Sequence, residues 1–211
     1  MTGATVRVID GRGVEVARSQ ALGVDGRYSV ELASAATAPF VLVAELPDHM
    51  DARKLLAMTQ LRVNQPKQAM GTLEGATNKE DADLLGLIGA AAARAGDMAQ
   101  ASQYFQRALE RRPDDPLARA RLGIARIALG EADQAIEDLE LALKQKPDMR
   151  EANIAVFITH LQQRKFAEAM GAAKRAQETW PDRAIGYALA GLAHMAQQHE
   201  TEAAAAFEQG L

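Results

Sequence analysis

Pro113-Asp114-Asp115-Pro116, Pro147-Asp148 and Pro181-Asp182 punctuate the second half of the chain at a constant interval of 34 residues. Proline lacks the backbone donor a helix needs, and an aspartate near it can accept from the free N–H groups that open the next helix. Small residues keep the same phase: Ala101, Ala135, Ala169 and Ala203; Ala108, Ala142 and Ala176, with Gly210 at the fourth place; and Gly89, Gly123 and Gly191. Larger apolar residues hold another place, at Phe105, Leu139 and Phe207, with Ala173 the exception. Four residue classes in register over several periods mark a genuine repeat, because chance matches drift out of phase. From Pro47 onward the apolar spacing is helical, so each period reads as two helices and a turn. The small residues then mark where helices approach backbone to backbone.

This pattern resembles the tetratricopeptide repeat (TPR), a helix–turn–helix unit. The resemblance implies a mainly α fold, a right-handed superhelix of antiparallel helix pairs over residues 47–211, preceded by a small antiparallel β segment. Units are expected at about 82–115, 116–149 and 150–183, with a truncated one at 184–211. A weaker unit is expected at about 50–81, where Leu56-Ala57, Ala69, Leu73 and Ala76 fit and Pro66 starts the second helix. Asp115-Pro116 reads as a helix cap followed by a first-turn proline.

A narrower likeness rests on Asp51-Ala52-Arg53-Lys54-Leu55-Leu56-Ala57 with Gln65-Pro66-Lys67-Gln68-Ala69, on Leu122-Gly123-Ile124-Ala125-Arg126 with Gly130-Glu131-Ala132, and on His160-Leu161-Gln162-Gln163 with Phe166. These stretches are similar to the TPR-repeat proteins of the bacterial PEP-CTERM/exosortase system. That resemblance implies a scaffold of the periplasm or cell envelope, encoded with exopolysaccharide and protein-sorting machinery. Members of that family begin with a signal sequence and carry more repeats. Here Met1–Asp10 lacks a basic stretch followed by an apolar one, and the chain has no lipidation cysteine.

Residues 1–46 read as strands. Thr5-Val6-Arg7-Val8-Ile9 and Val14-Glu15-Val16-Ala17 alternate across the turn signal Asp10-Gly11-Arg12-Gly13. Asp25-Gly26 reads as a tight turn before Tyr28–Leu32, and Phe40–Ala44 is a continuous apolar run suited to a central strand. Four strands with these turns resemble the carboxypeptidase-regulatory or transthyretin-like β modules.

Composition supports the division. The 211 residues include 44 alanines and only 4 % aromatics, which favours close-packed helices over an aromatic-rich sandwich. Zero cysteines exclude a disulfide framework and a thiol nucleophile, and a net charge of −4 argues against nucleic acid as a partner. No apolar run is long enough to insert into a membrane.

Chemical constellations are absent by motif: no catalytic residues, no cofactor site and no metal site are expected. His160 and His194 occupy one repeat position and read as interior packing residues, with His199 on another face. Glu137, Asp138 and Glu140 read as a solvent-facing acidic run. Arg107, Arg111 and Arg112 read as complements to a helix C-terminus. Trp180 reads as a packing anchor, and Gly11 and Gly13 belong to a turn that opens no helix, so they form no phosphate loop.

In a TPR array the inner groove is lined by helix A at positions about 2, 5, 9, 12 and 13 of each unit. These places give Met58 and Leu61, then Ala90 and Arg94, Ile124 and Ile127, Ile154, Ile158 and Leu161, and Leu192 and Met195. The lining is apolar and carries no carboxylate-binding lysine–asparagine set, so it suits an amphipathic helix or an extended apolar segment. The same residues could instead pack inside a tightly curled superhelix. The expected function is therefore a non-enzymatic protein–protein interaction scaffold. The alternative is a surface or structural module whose β segment binds a polymer or self-assembles, with the helices as spacer. Because the last unit stops at Leu211, self-association through an uncapped final helix is also expected.

Overall fold

The computed structural model describes residues 5–9, 15–20, 41–45, 50–74 and 81–211. Three strands, β1 (Thr5–Ile9), β2 (Glu15–Gln20) and β3 (Val41–Glu45), pair antiparallel in the order β2-β1-β3. Thr5 stands opposite Gln20 on one side and Glu45 on the other, and the β1–β2 register shifts between Val8 and Ile9. Among the described strands β1 is therefore the central one, and the run expected in that place, β3, flanks it. The expected strand Tyr28–Leu32 and both turn signals lie outside the described residues.

Ten helices follow among the described residues: α1 (Met50–Arg62), α2 (Pro66–Glu74), α3 (Ala82–Arg94), α4 (Met98–Arg111), α5 (Pro116–Ala128), α6 (Ala132–Gln145), α7 (Arg150–Gln162), α8 (Phe166–Thr179), α9 (Ile185–Ala196) and α10 (Glu200–Gln209). Each odd-numbered helix is joined to the next by a three-residue turn, which folds the two into a hairpin. The turns share one backbone design. Their middle residues, Asn64, Gly96, Gly130, Arg164 and Gln198, all have φ between 58° and 89°. The following N–H then reaches back five residues, from Gln65 to Gln60, Asp97 to Ala92, Glu131 to Arg126, Lys165 to His160 and His199 to His194, at 2.8–3.0 Å. This is the bonding of a left-handed helix end, which satisfies carbonyls the helix leaves free.

The junctions between repeats are less uniform. Asp81 accepts from the Asp83 N–H at 2.9 Å, and Asp115 from the N–H groups of Leu117 and Ala118 at 2.9 and 3.1 Å. Among the described residues no side chain caps the start of α7 or α9. At the Pro147 junction the fully buried Asn153 fastens the connecting backbone instead, donating through Nδ2 to the Pro147 and Met149 carbonyls at 3.0 and 3.3 Å. The Pro-Asp signal thus follows the ends of α4, α6 and α8, whereas aspartate capping of the next helix operates only where the cap sits directly before the first turn.

The chain divides into two compact units, Met1–Tyr104 and Phe105–Leu211. In the first, α1 lies against β3 as well as α2 and α3, and the core gathers Ala57, Leu61, Ala69, Leu73, Leu84, Ile88 and Ala91. In the second, the core is built on Leu139, Leu143, Val156, Phe157 and Leu189 together with nine alanines, among them Ala142, Ala169, Ala173 and Ala176. Glycine is required where helices touch. A Cβ at residue 123 would lie 2.7 Å from Leu139 Cγ, and one at residue 191 would lie 2.5 Å from the Phe207 ring.

Candidate functional site

The A helices of the second unit, α5, α7 and α9, touch one another in succession. Residues one repeat apart therefore form rows across them. One row is Ile124, Ile158 and Leu192, which remain 38 %, 43 % and 47 % exposed although their neighbours Gly123, Phe157 and Gly191 are buried. Isoleucine and leucine left open at the same place in three successive repeats make a continuous apolar ladder, a larger feature than scattered surface residues. Covering each two-fifths-exposed rung would contribute roughly 1 kcal/mol.

The other expected groove residues divide according to their depth. Met195 is 53 % exposed and extends the ladder beside Leu192. Ile127 and Leu161 are half-buried and pack against the core, and Ile154 is half-buried. In the first unit Met58 is exposed, but Leu61 is buried beneath α3 and is no lining residue. Arg94 is exposed, yet its Nη1 donates to the Leu61 carbonyl in the last turn of α1, where a cation is stabilised by the helix end. Leu117, not among the expected lining residues, is 48 % exposed and lies seven residues before Ile124 on the same helix face. Its signal was present: it occupies the second place of the unit starting at residue 116.

Charged groups on the B helices behave differently from the expectation of a solvated acidic run. Asp138 is 6 % exposed and lies between two arginines: Arg126 Nη1 donates to its Oδ2, and Arg119 Nη1 stands 3.6 Å from its Oδ1. Burial pushes its carboxyl above the usual aspartate range, and the arginines pull it back only in part. Glu140 accepts from Arg175 Nη2 at 2.9 Å, and Arg175 Nε donates to Asn153 Oδ1 at 3.0 Å. These residues join α6, α7 and α8, because one helical face of the acidic run turns toward its neighbour. Glu140, Arg175, Leu141, Leu143, Lys144 and Pro147 line an open cleft of about 440 Å³.

His160 is buried, and Trp180 packs against the core of its unit. His199 does not point away from His194, as its spacing suggests on a continuous helix. The turn between α9 and α10 brings the ring centroids to 6.2 Å at a 39° tilt. Among the described residues no three histidine, cysteine or acidic side chains converge as metal ligands. No helix among them is long and apolar enough to cross a membrane.

The helix-pair geometry has close counterparts. A structure of MamA residues 41 to the end from Desulfovibrio magneticus RS-1 superposes with a TM-score of 0.68 at 20 % identity, covering 75 % of this chain and 91 % of that one. A MamA RS-1 double mutant gives 0.67 at 20 % identity over 75 % and 90 %, and a further MamA protein gives 0.67 at 17 % over 77 % and 92 %. At these identities the likeness establishes a TPR-type helical solenoid fold. No curated protein matches the chain. Two tetratricopeptide repeat family models match consecutively, over residues 92–156 and 157–211. Residues 92–211, more than half of the chain, belong to the tetratricopeptide repeat family.

Proposed function

We propose that the protein is a non-enzymatic interaction scaffold that holds a partner protein segment on the ladder Ile124–Ile158–Leu192. The observation that carries this reading is the exposure of all three rungs at one repeat position. Adjacent packed helices stand about 8–10 Å apart, and residues seven apart on a helix rise about 10.5 Å. The chemistry that fits is therefore an amphipathic helix with apolar residues at heptad spacing, and Met195 supplies an adaptable contact beside it. The test is fluorescence anisotropy with labelled amphipathic peptides carrying leucine at heptad spacing. Such a peptide binds the native chain, and I158E/L192E weakens it at least tenfold while helicity is retained. Equal binding by the variant, or none by the native chain, removes the reading.

The cellular setting we propose is the bacterial envelope, within exopolysaccharide or exosortase-dependent sorting machinery. It rests on the sequence resemblance of residues 47–211 alone, as the β-module likeness of residues 1–46 rests on sequence. A second contact is proposed at α10. Phe207 is 40 % exposed, whereas Phe105, Leu139 and Ala173 at the same repeat position are 1 % exposed or less. That ring suits contact with a second copy of the chain.

A further inference from the structure

The residue whose carbonyl closes each A–B turn is Gln60, Ala92, Arg126, His160 or His194, according to the repeat. Twelve residues later, on the partner helix, stand Thr72, Tyr104, Asp138, Ala172 and Ala206. In the first repeat these two places are joined by a hydrogen bond, Thr72 Oγ1 donating to Gln60 Oε1 at 2.9 Å. In the third they are joined by the Arg126–Asp138 ion pair. In the last two repeats the second place is alanine, which offers no acceptor. There the buried Nδ1 atoms of His160 and His194 have no hydrogen-bond partner among the described residues.

His160 is the deeper of the two, 8 % exposed on α7. The charged groups facing it are Glu140 from α6, Glu168 and Arg175 from α8, and Lys165 from the turn. The two acids favour an imidazolium and the two bases oppose it, while Glu140 is already engaged by Arg175. A neutral imidazole needs a donor role at only one nitrogen, but an imidazolium carries an N–H on both. Charging His160 therefore puts a proton on a buried Nδ1, or keeps one there, with no acceptor for it among the described residues.

We propose that His160 is a proton-sensitive joint: acidification charges its imidazole, for which the repeat holds no acceptor, and opens the α7–α8 pair while the clasped α5–α6 pair stays closed. Burial holds the imidazole below its ordinary value of 6.5. A group depressed in the folded state leaves stability intact above 6.5 and removes it as pH falls below that value toward the folded one. Asp138 has the opposite sign. Its raised carboxyl costs stability as pH rises through its own titration, so mild acid takes nothing from the α5–α6 pair. Ile158 lies on α7, so opening of this joint also loosens the middle rung of the ladder.

Amide hydrogen exchange of the free, full chain at pH 7.5 and 5.5, corrected for intrinsic exchange rates, tests the joint without any partner. Protection in α7 and α8 falls several-fold, with a ceiling of about tenfold set by one pH unit below the unfolded value. Protection in α5 and α6 is unchanged by the same step. The variant H160Q/A172T copies the Gln60–Thr72 pair of the first repeat and abolishes the loss. Equal protection of α7 and α8 at both pH values overturns the proposal, as does an equal loss in α5 and α6 or a loss that survives in H160Q/A172T. If that variant does not fold, the wild-type comparison between the two helix pairs still decides.

Discussion

Gln198 is held at φ 63°, a conformation that costs an L-residue with a side chain about 1–2 kcal/mol. The same turn position is glycine at Gly96 and Gly130, where the cost vanishes, and asparagine at Asn64. Gln198→Gly relieves the strain but loosens the unfolded chain, and the balance raises unfolding free energy by about 0.5–1 kcal/mol. Urea denaturation measures it, and an unchanged or lower midpoint contradicts the strain. Single residues also separate what was legible from what was not. Gly123 and Gly191 could be read as close-approach sites from their phase alone, and each faces a side chain that leaves no room for a methyl group. Asp138 could not. Its place in an acidic run suggests solvent, and only the approach of Arg119 and Arg126 from α5 shows that it is buried and paired.

At the scale of elements, caps distinguish repeats that otherwise look alike. Asp115 supplies two side-chain bonds to the start of α5 and is followed by Pro116. Asp115→Ala leaves two N–H groups to solvent and lowers stability by about 1 kcal/mol. One repeat later the capping place is Met149, and Asp148→Ala beside it has no cap to remove, so the difference between the two urea midpoints isolates the cap. Equal effects at both sites contradict it. The helix pairs, the start of α2 at Pro66 and the ends of α4, α6 and α8 follow from apolar spacing and proline placement, which are local. The bonds by which Asn153 fastens the junction before α7 were not legible, because its partners are the Pro147 and Met149 carbonyls and Arg175 from α8.

At the scale of the whole molecule, a solenoid buries each repeat against its neighbour, and stability accumulates from neighbouring interfaces. Phe207 occupies a position that other repeats bury, so contact between copies through α10 removes an exposed aromatic ring from water. Light scattering across a concentration series is expected to show mass rising with concentration, and a strict monomer throughout counts against the contact. The ladder belongs to this scale too, since three rungs drawn from three helices become one surface only when the helices stack.

The sequence by itself determined the repeat period, the helix pairs and the places where small residues must stand. Those features rest on contacts between residues near in the chain, or equivalent in each period. Tertiary structure alone decided which apolar A-helix residues stay open and which polar residues find partners. Leu61 and Met195 share a place beside the turn of their repeats, yet one is covered by α3 and the other faces outward. His160 and Arg126 share a repeat position, yet among the described residues one is left with an imidazole nitrogen that has no partner, and the other finds a carboxylate twelve places on. Burial and pairing depend on what a distant segment brings to the site, which periodicity cannot specify.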